Sequence, residues 1–135
     1  MRNKPLGLLS ATLFSVALLC GHLAAAAVEA IKPSNGWRIE CSGNAESSGM
    51  IQFNVLPHEG EMVTVSVKVA NGRSENEVAK DIRDAFRAQL PANRFQAETD
   101  DGEDVLIKKK DGQQDFAIEL VASDVEHVRL NLQRE

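Results

Sequence analysis

One segment of the chain has the period of an amphipathic helix, and the segments around it alternate apolar and polar residues. Ser74 precedes Glu77 by three residues, the pattern of a capping box in which each side chain bonds a free backbone N–H, and Pro91 marks the end. The apolar residues between them recur at helical spacing, namely Val78, Ile82, Ala85, Phe86 and Leu90. Because a single apolar stripe needs one sheet face to cover it, this segment predicts one helix packed on a sheet.

The remaining apolar residues follow the two-residue period of β-strands. Tight polar turns such as Asp100–Glu103 and Lys110–Gln113 separate the later segments, as in an antiparallel meander. The predicted strands cover residues 37–41, 51–55, 63–69, 95–99, 105–107, 116–120 and 128–132. The sequence therefore predicts an α+β domain in which one amphipathic helix packs on a curved antiparallel β-sheet, with the order β-β-β-α-β-β-β-β.

Residues 1–27 have the features of a cleavable export signal. Arg2 and Lys4 form a basic start, an uncharged apolar run follows, and small residues at Ala24–Ala27 suit cleavage before Val28. We therefore expect a periplasmic or secreted protein.

An alternative is a lipoprotein in which Cys20 is the lipidated residue, although Leu19 occupies the position where lipoprotein processing favours a small residue. The apolar run is too short for a stable membrane anchor, so no membrane span is expected after the signal is removed. The remainder is predicted to comprise a flexible start, residues 28–36, and a single domain, residues 37–135.

The predicted mature chain is acidic. Loss of Arg2 and Lys4 changes the net charge from −5 to −7, since residues 1–27 contain no Asp or Glu. Nucleic-acid binding depends on Lys and Arg that neutralise phosphates, so this charge disfavours a nucleic-acid partner.

Few residues suited to catalysis are present. After signal removal Cys41 is the only cysteine, so it has no partner for an internal disulfide, and its position in a predicted strand favours a buried side chain. One alternative function is an envelope thiol hydrolase that uses Cys41 with His58 or His127, but no local signature around Cys41 supports it.

A second alternative is a metal-binding or small-ligand-binding protein. His58, Glu59 and Glu61 lie close together, and acidic residues surround Gly102 in the segment Asp100–Asp104. Both segments are explained by hairpin turns, and their spacing departs from zinc and calcium motifs. We therefore expect no cofactor, and no catalytic or metal-binding residue is assigned.

The valine-rich strand Val65–Val69 ends near Gly72, a Ser74-capped helix follows with Val-Ala-x-x-Ile at Val78–Ile82, and a hairpin comes next through Val105–Ile107. This pattern over residues 63–107 resembles insertion domains of flagellin and hook-type proteins and of some phage tail proteins. The resemblance implies a strand, helix and hairpin architecture and no particular activity. The predicted export signal is a departure from those filament proteins.

Trp and Arg dominate binding hot spots, so Trp37, Arg83, Arg87 and Arg94 form the candidate contact surface. An alternative interpretation of Trp37 is that it caps the core. The leading hypothesis is a small exported non-enzymatic binding module, an inhibitor, adaptor or adhesion-like accessory that contacts another envelope or extracellular protein. The sequence does not define its oligomeric state.

Overall fold

A computed structural model describes residues 31–135. One helix and seven antiparallel strands follow each other in the predicted order, which confirms the α+β class. The elements are β1 (Gly36–Ser42), β2 (Gly49–Pro57), β3 (Val63–Val69), α1 (Glu75–Gln89), β4 (Phe95–Asp100), β5 (Asp104–Lys109), β6 (Phe116–Ser123) and β7 (Arg129–Arg134). The predicted export signal lies outside the described residues.

The strands form two sheets, where the sequence had suggested one. One sheet has the order β3-β2-β6 and the other β4-β5-β1-β7, so the consecutive strands β6 and β7 are edges of different sheets. After β6, the backbone N–H of Asp124 still bonds Met50 of β2, and the following loop turns at His127, whose φ is 70°. The chain then pairs with β1, so local alternation could not reveal the division into two sheets.

The core lies between the inner faces of the two sheets and α1. The helix contacts β3 in the first sheet and β4, β5 and β1 in the second, so it spans both. Phe86 on α1 packs against Phe53 of β2 with ring centroids 5.3 Å apart. Phe95 of β4 meets Phe116 of β6 edge to face at 5.0 Å, which ties the second sheet to the first.

The helix begins at the predicted cap, although only half of the capping box forms. The Ser74 hydroxyl accepts a hydrogen bond from the Glu77 N–H at 3.3 Å. The Glu77 carboxylate instead pairs with Arg73, 2.8 Å from its guanidinium. Glu77 therefore stabilises the first turn through an ion pair with Arg73, which the sequence did not predict.

Replacement of Ser74 by Ala is expected to lower the free energy of unfolding by about 1 kcal/mol, because the first-turn N–H of Glu77 loses its acceptor. Urea unfolding followed by circular dichroism measures the change. Ser74→Asp, which retains an acceptor, is the matched control and should stay close to the wild type. Equal stability of the Ala and Asp variants would contradict the capping role.

Residues just before Trp37, where the domain was predicted to begin, take part in strand pairing. Ser34 forms an isolated antiparallel bridge with Phe116, and β1 starts at Gly36. The residues just before Trp37 therefore connect the two sheets. Between residues 31 and 135, no helix has both the length and the apolar character needed to cross a membrane.

Candidate functional site

Trp37 lies in the core. Its side chain comes from the inner face of β1 and the residue is 5% exposed. The indole N–H donates a hydrogen bond of 2.8 Å to the carbonyl oxygen of Phe116 in the other sheet. This position fits the interpretation that Trp37 caps the core, and it leaves little of the ring for contact with a partner.

The three arginines of the predicted contact surface lie on or just after α1. Arg83 is partly exposed and pairs with the neighbouring Asp84 at 2.9 Å. Arg87 donates through Nε to the carbonyl oxygen of Ala97 in β4 at 2.8 Å. Arg94 is exposed just before β4. The fold therefore brings Arg87 and Arg94 to the same end of the helix, and their role in partner contact stays a prediction.

A cleft of about 300 Å³ opens between the C-terminal end of α1 and β4. Its apolar surface includes Phe86 and Leu90 from the helix and Phe95 from the strand. Arg87 and Lys110 add positive charge to the lining. The sequence did not predict this cleft, because it forms only where the helix end docks on the hairpin of β4 and β5.

A second cleft, of about 200 Å³, adjoins the first. It is lined by Arg94 and shares Phe95 with the larger cleft. The two clefts therefore place Arg94 close to the Arg87 and Lys110 side of the domain.

Cys41 is buried on the inner face of β1, with 2% of the residue exposed. Burial, and to a smaller extent the negative charges of Asp104, Glu75 and Glu103, together raise the pKa of its thiol to about 12. Cysteine nucleophiles react as thiolates, so this environment suppresses the reactive form.

His58 and His127 do not form a catalytic pair with Cys41. His58 follows β2, where its backbone N–H bonds Asp115. The His127 side chain is 55% exposed, with its Nδ1 atom 3.8 Å from Glu46. In the part of the chain that the structure describes, neither imidazole hydrogen-bonds the thiol. The geometry gives no support to the thiol-hydrolase alternative.

Native Cys41 is expected to react with iodoacetamide at pH 8 at least about 100-fold more slowly than the same cysteine in urea, because the thiolate is rare at a pKa near 12. Mass spectrometry of the intact protein follows the modification. The same thiol in the urea-unfolded protein is the internal control. Fast alkylation of the folded protein would contradict the burial and restore the hydrolase hypothesis.

The acidic turn between β4 and β5 is tied to Arg38 of β1. The guanidinium of Arg38 lies 2.7 Å from Glu135, 2.6 Å from Asp104 and 3.1 Å from Asp100. Hydrogen bonds to these carboxylates raise the pKa of Arg38 above its ordinary value, and the bond to Glu135 has the largest effect. Asp101, at φ 50°, and Gly102, at φ 81°, have the left-handed backbone of an Asp-Gly hairpin turn.

A cation site has little support from this geometry. Among the side chains of residues 31–135, no group of three or more His, Cys, Asp and Glu is placed to hold a metal ion. Arg38 already occupies the position between Asp100 and Asp104. No group of side chains in the described residues therefore supports the metal-binding alternative.

The outer edge of β6 carries exposed apolar side chains. Leu120 is 40% exposed and Val121 is 51% exposed, and Ala122 beside them is also exposed. A register shift in the pairing with β2 leaves Val121 without a partner residue, as in a β-bulge.

The backbone of this edge is open in its second half, from Leu120 onward. The N–H and C=O of Phe116 bond Ser34 on the side away from β2. Because backbone groups alternate in direction along a strand, those of Ile118 and Leu120 point the same way as those of Phe116. Ile118 is 1% exposed, so its backbone is covered, whereas Leu120 is exposed. Among the described residues no group bonds the outward N–H and C=O of Leu120, because β6 is the last strand of its sheet.

Sequence reasoning missed this edge. Strict alternation predicted that Leu120 faces the core, and the only sign against it was that alternation stops in Leu120-Val121-Ala122.

Comparison with known proteins adds no assignment. No protein-family profile matches the chain, and a search of curated proteins found no similar sequence.

Proposed function

We propose that the chain is a small exported, non-enzymatic binding module of the cell envelope. It acts as an inhibitor, adaptor or adhesion-like accessory by contact with another envelope or extracellular protein. The observation that carries the proposal is the open edge of β6 with exposed Leu120 and Val121. The predicted export signal supports the location.

The other edges beside α1 are covered by helix side chains. The side-chain amide of Gln89 accepts from the Ser66 N–H at 2.8 Å and donates to the Ser66 carbonyl at 2.7 Å, so it closes the edge of β3. Arg87 bonds the Ala97 carbonyl at 2.8 Å on the edge of β4. Proteins cover sheet edges in such ways because open edges pair with other chains. The β6 edge is covered at Phe116 by Ser34, but at Leu120 and Val121 it has no comparable cover from the described residues.

An extended segment of the partner is the structure best suited to this edge. The backbone N–H and C=O of Leu120 supply hydrogen bonds to an added strand, and Leu120 and Val121 supply apolar contact. A small area of backbone pairing and apolar burial suits an accessory that associates and dissociates.

The test compares tagged wild-type protein with the Val121→Lys variant in pull-down from the envelope fraction of the producing cells. The charge and length of Lys at the edge are expected to weaken capture of the partner at least about tenfold, the effect of losing a central apolar contact. Met62→Lys is the matched control, because Met62 is also an apolar side chain, 52% exposed, and lies outside the strands.

Retained capture by Val121→Lys would contradict a role for the β6 edge. Equal loss in Val121→Lys and Met62→Lys would show that added charge alone disrupts association. The absence of any partner captured by the wild type would contradict the proposed function itself.

A further inference from the structure

We infer that the cleft between the C-terminal end of α1 and β4 binds a small amphipathic anion, a carboxylate attached to an apolar chain. This site is separate from the β6 edge. The inference goes beyond the protein contact proposed above and does not depend on it.

The cleft has the size and the apolar surface of a small-molecule site. Its volume of about 300 Å³ lies at the lower end of the range for such sites, about 300 to 1,000 Å³. Phe86 and Leu90 are nearly fully buried beneath the cleft, and the apolar surface that remains open to it comes from Ala92 and Phe95. Phe95 and Ala97 of β4 form the opposite wall. An apolar chain in this space would lose contact with water on both sides.

The charge of the lining selects an anion. Arg87 uses Nε on the Ala97 carbonyl, and its terminal nitrogens make no hydrogen bond with residues 31–135. The Lys110 ammonium likewise has no acidic partner in that part of the chain. The one acid in the lining, Glu98, is already paired with Lys108 at 3.0 Å. The cleft thus presents two cations without carboxylate partners in a protein whose overall charge is negative.

The apolar lining and the two cations of the cleft are both needed to define the ligand. An inorganic anion would use Arg87 and Lys110 but leave the apolar surface of Ala92 and Phe95 exposed to water. A neutral apolar molecule would cover that surface and leave the cations without a counter-charge. A carboxylate with an apolar chain satisfies both, and the volume restricts it to a small molecule rather than a folded partner.

The experiment titrates the protein with sodium octanoate as the probe and follows backbone amide shifts by NMR, with inorganic phosphate and 1-octanol as separate arms. Saturable binding of octanoate is expected, with the largest shifts at Phe95 and Ala97 and small shifts at Leu120. Phosphate and 1-octanol are expected to bind more weakly than octanoate.

Two variants locate the site. Ala92→Trp places a large side chain at an exposed position of the lining and is expected to abolish binding. Lys110→Gln is expected to weaken binding by up to about fivefold, the effect of one exposed ion pair. Lys80→Gln, on an exposed position of α1 outside the lining, is the matched control and should bind as the wild type does.

The inference is overturned if octanoate does not bind saturably or if 1-octanol or phosphate binds as tightly as octanoate. It is also overturned if Ala92→Trp leaves binding unchanged, or if the shifts centre on Leu120. None of these results bears on capture of a protein at the β6 edge, so the two proposals fail independently.

Discussion

Replacement of Phe86 by Ala is expected to lower the free energy of unfolding by about 3 to 5 kcal/mol, the usual cost of truncating a buried aromatic residue. Phe86 is 1% exposed on the face of α1 that covers the sheets. Its ring lies 5.3 Å from that of Phe53, so truncation removes contact between the helix and β2 as well as area buried from water. Urea unfolding followed by circular dichroism measures the loss.

Two control variants test whether the loss of stability comes from the packing of Phe86. Phe86→Leu keeps most of the volume and is expected to cost less than about 1.5 kcal/mol, so it remains measurable if the Ala variant does not fold. Lys80→Ala, on the exposed side of the same helix, should change stability by less than about 0.5 kcal/mol. If Phe86→Ala cost no more than Lys80→Ala, the packing of the helix on the sheets would be wrong.

Replacement of Trp37 by Ala is likewise expected to cost about 3 to 5 kcal/mol, because the residue is 5% exposed between the two sheets. Trp37→Phe keeps much of the ring and loses the hydrogen bond to the Phe116 carbonyl. That carbonyl still accepts from the Ser34 N–H at 2.8 Å, so it does not become an unsatisfied acceptor. The lost bond is therefore expected to add only about 0.5 to 1.5 kcal/mol to any packing cost.

These variants remove the only tryptophan, so their unfolding is followed by circular dichroism rather than by tryptophan fluorescence. A loss below about 1 kcal/mol for Trp37→Ala would contradict the core position and favour the interpretation of Trp37 as a contact residue. Partner capture by Trp37→Phe should match the wild type, since the ring contacts β6 only at the buried Phe116 and the proposed partner contact is at Leu120 and Val121.

The fold was largely predictable because its strongest signals are local. The interval from Ser74 to Pro91 encodes a capped amphipathic helix, and alternating residues encode each strand. The division into two sheets depends on pairing between segments far apart in sequence, such as Trp37 with Ile107 and with Arg134. No local pattern contains that information. The ion pair between Arg73 and Glu77 was missed because the capping box assigned Glu77 to the backbone.

The functional surfaces were less predictable than the fold. The period of β1 suggested that Cys41 is buried, and the structure places it there. Arg87 and Arg94 were singled out as exposed cations, but the cleft near them depends on how the helix end docks on β4. Leu120 was predicted to face the core, and its 40% exposure follows from the position of β6 at the end of its sheet.

The most direct test of the proposed function places a photo-reactive amino acid at position 121 in cells that export the protein, with position 62 as the control. Both native side chains are about half exposed, and only Val121 lies on β6. We expect irradiation to yield one discrete adduct with another envelope or extracellular protein from position 121 and none from position 62. No adduct from position 121, or the same adducts from both positions, would contradict the binding role of the β6 edge.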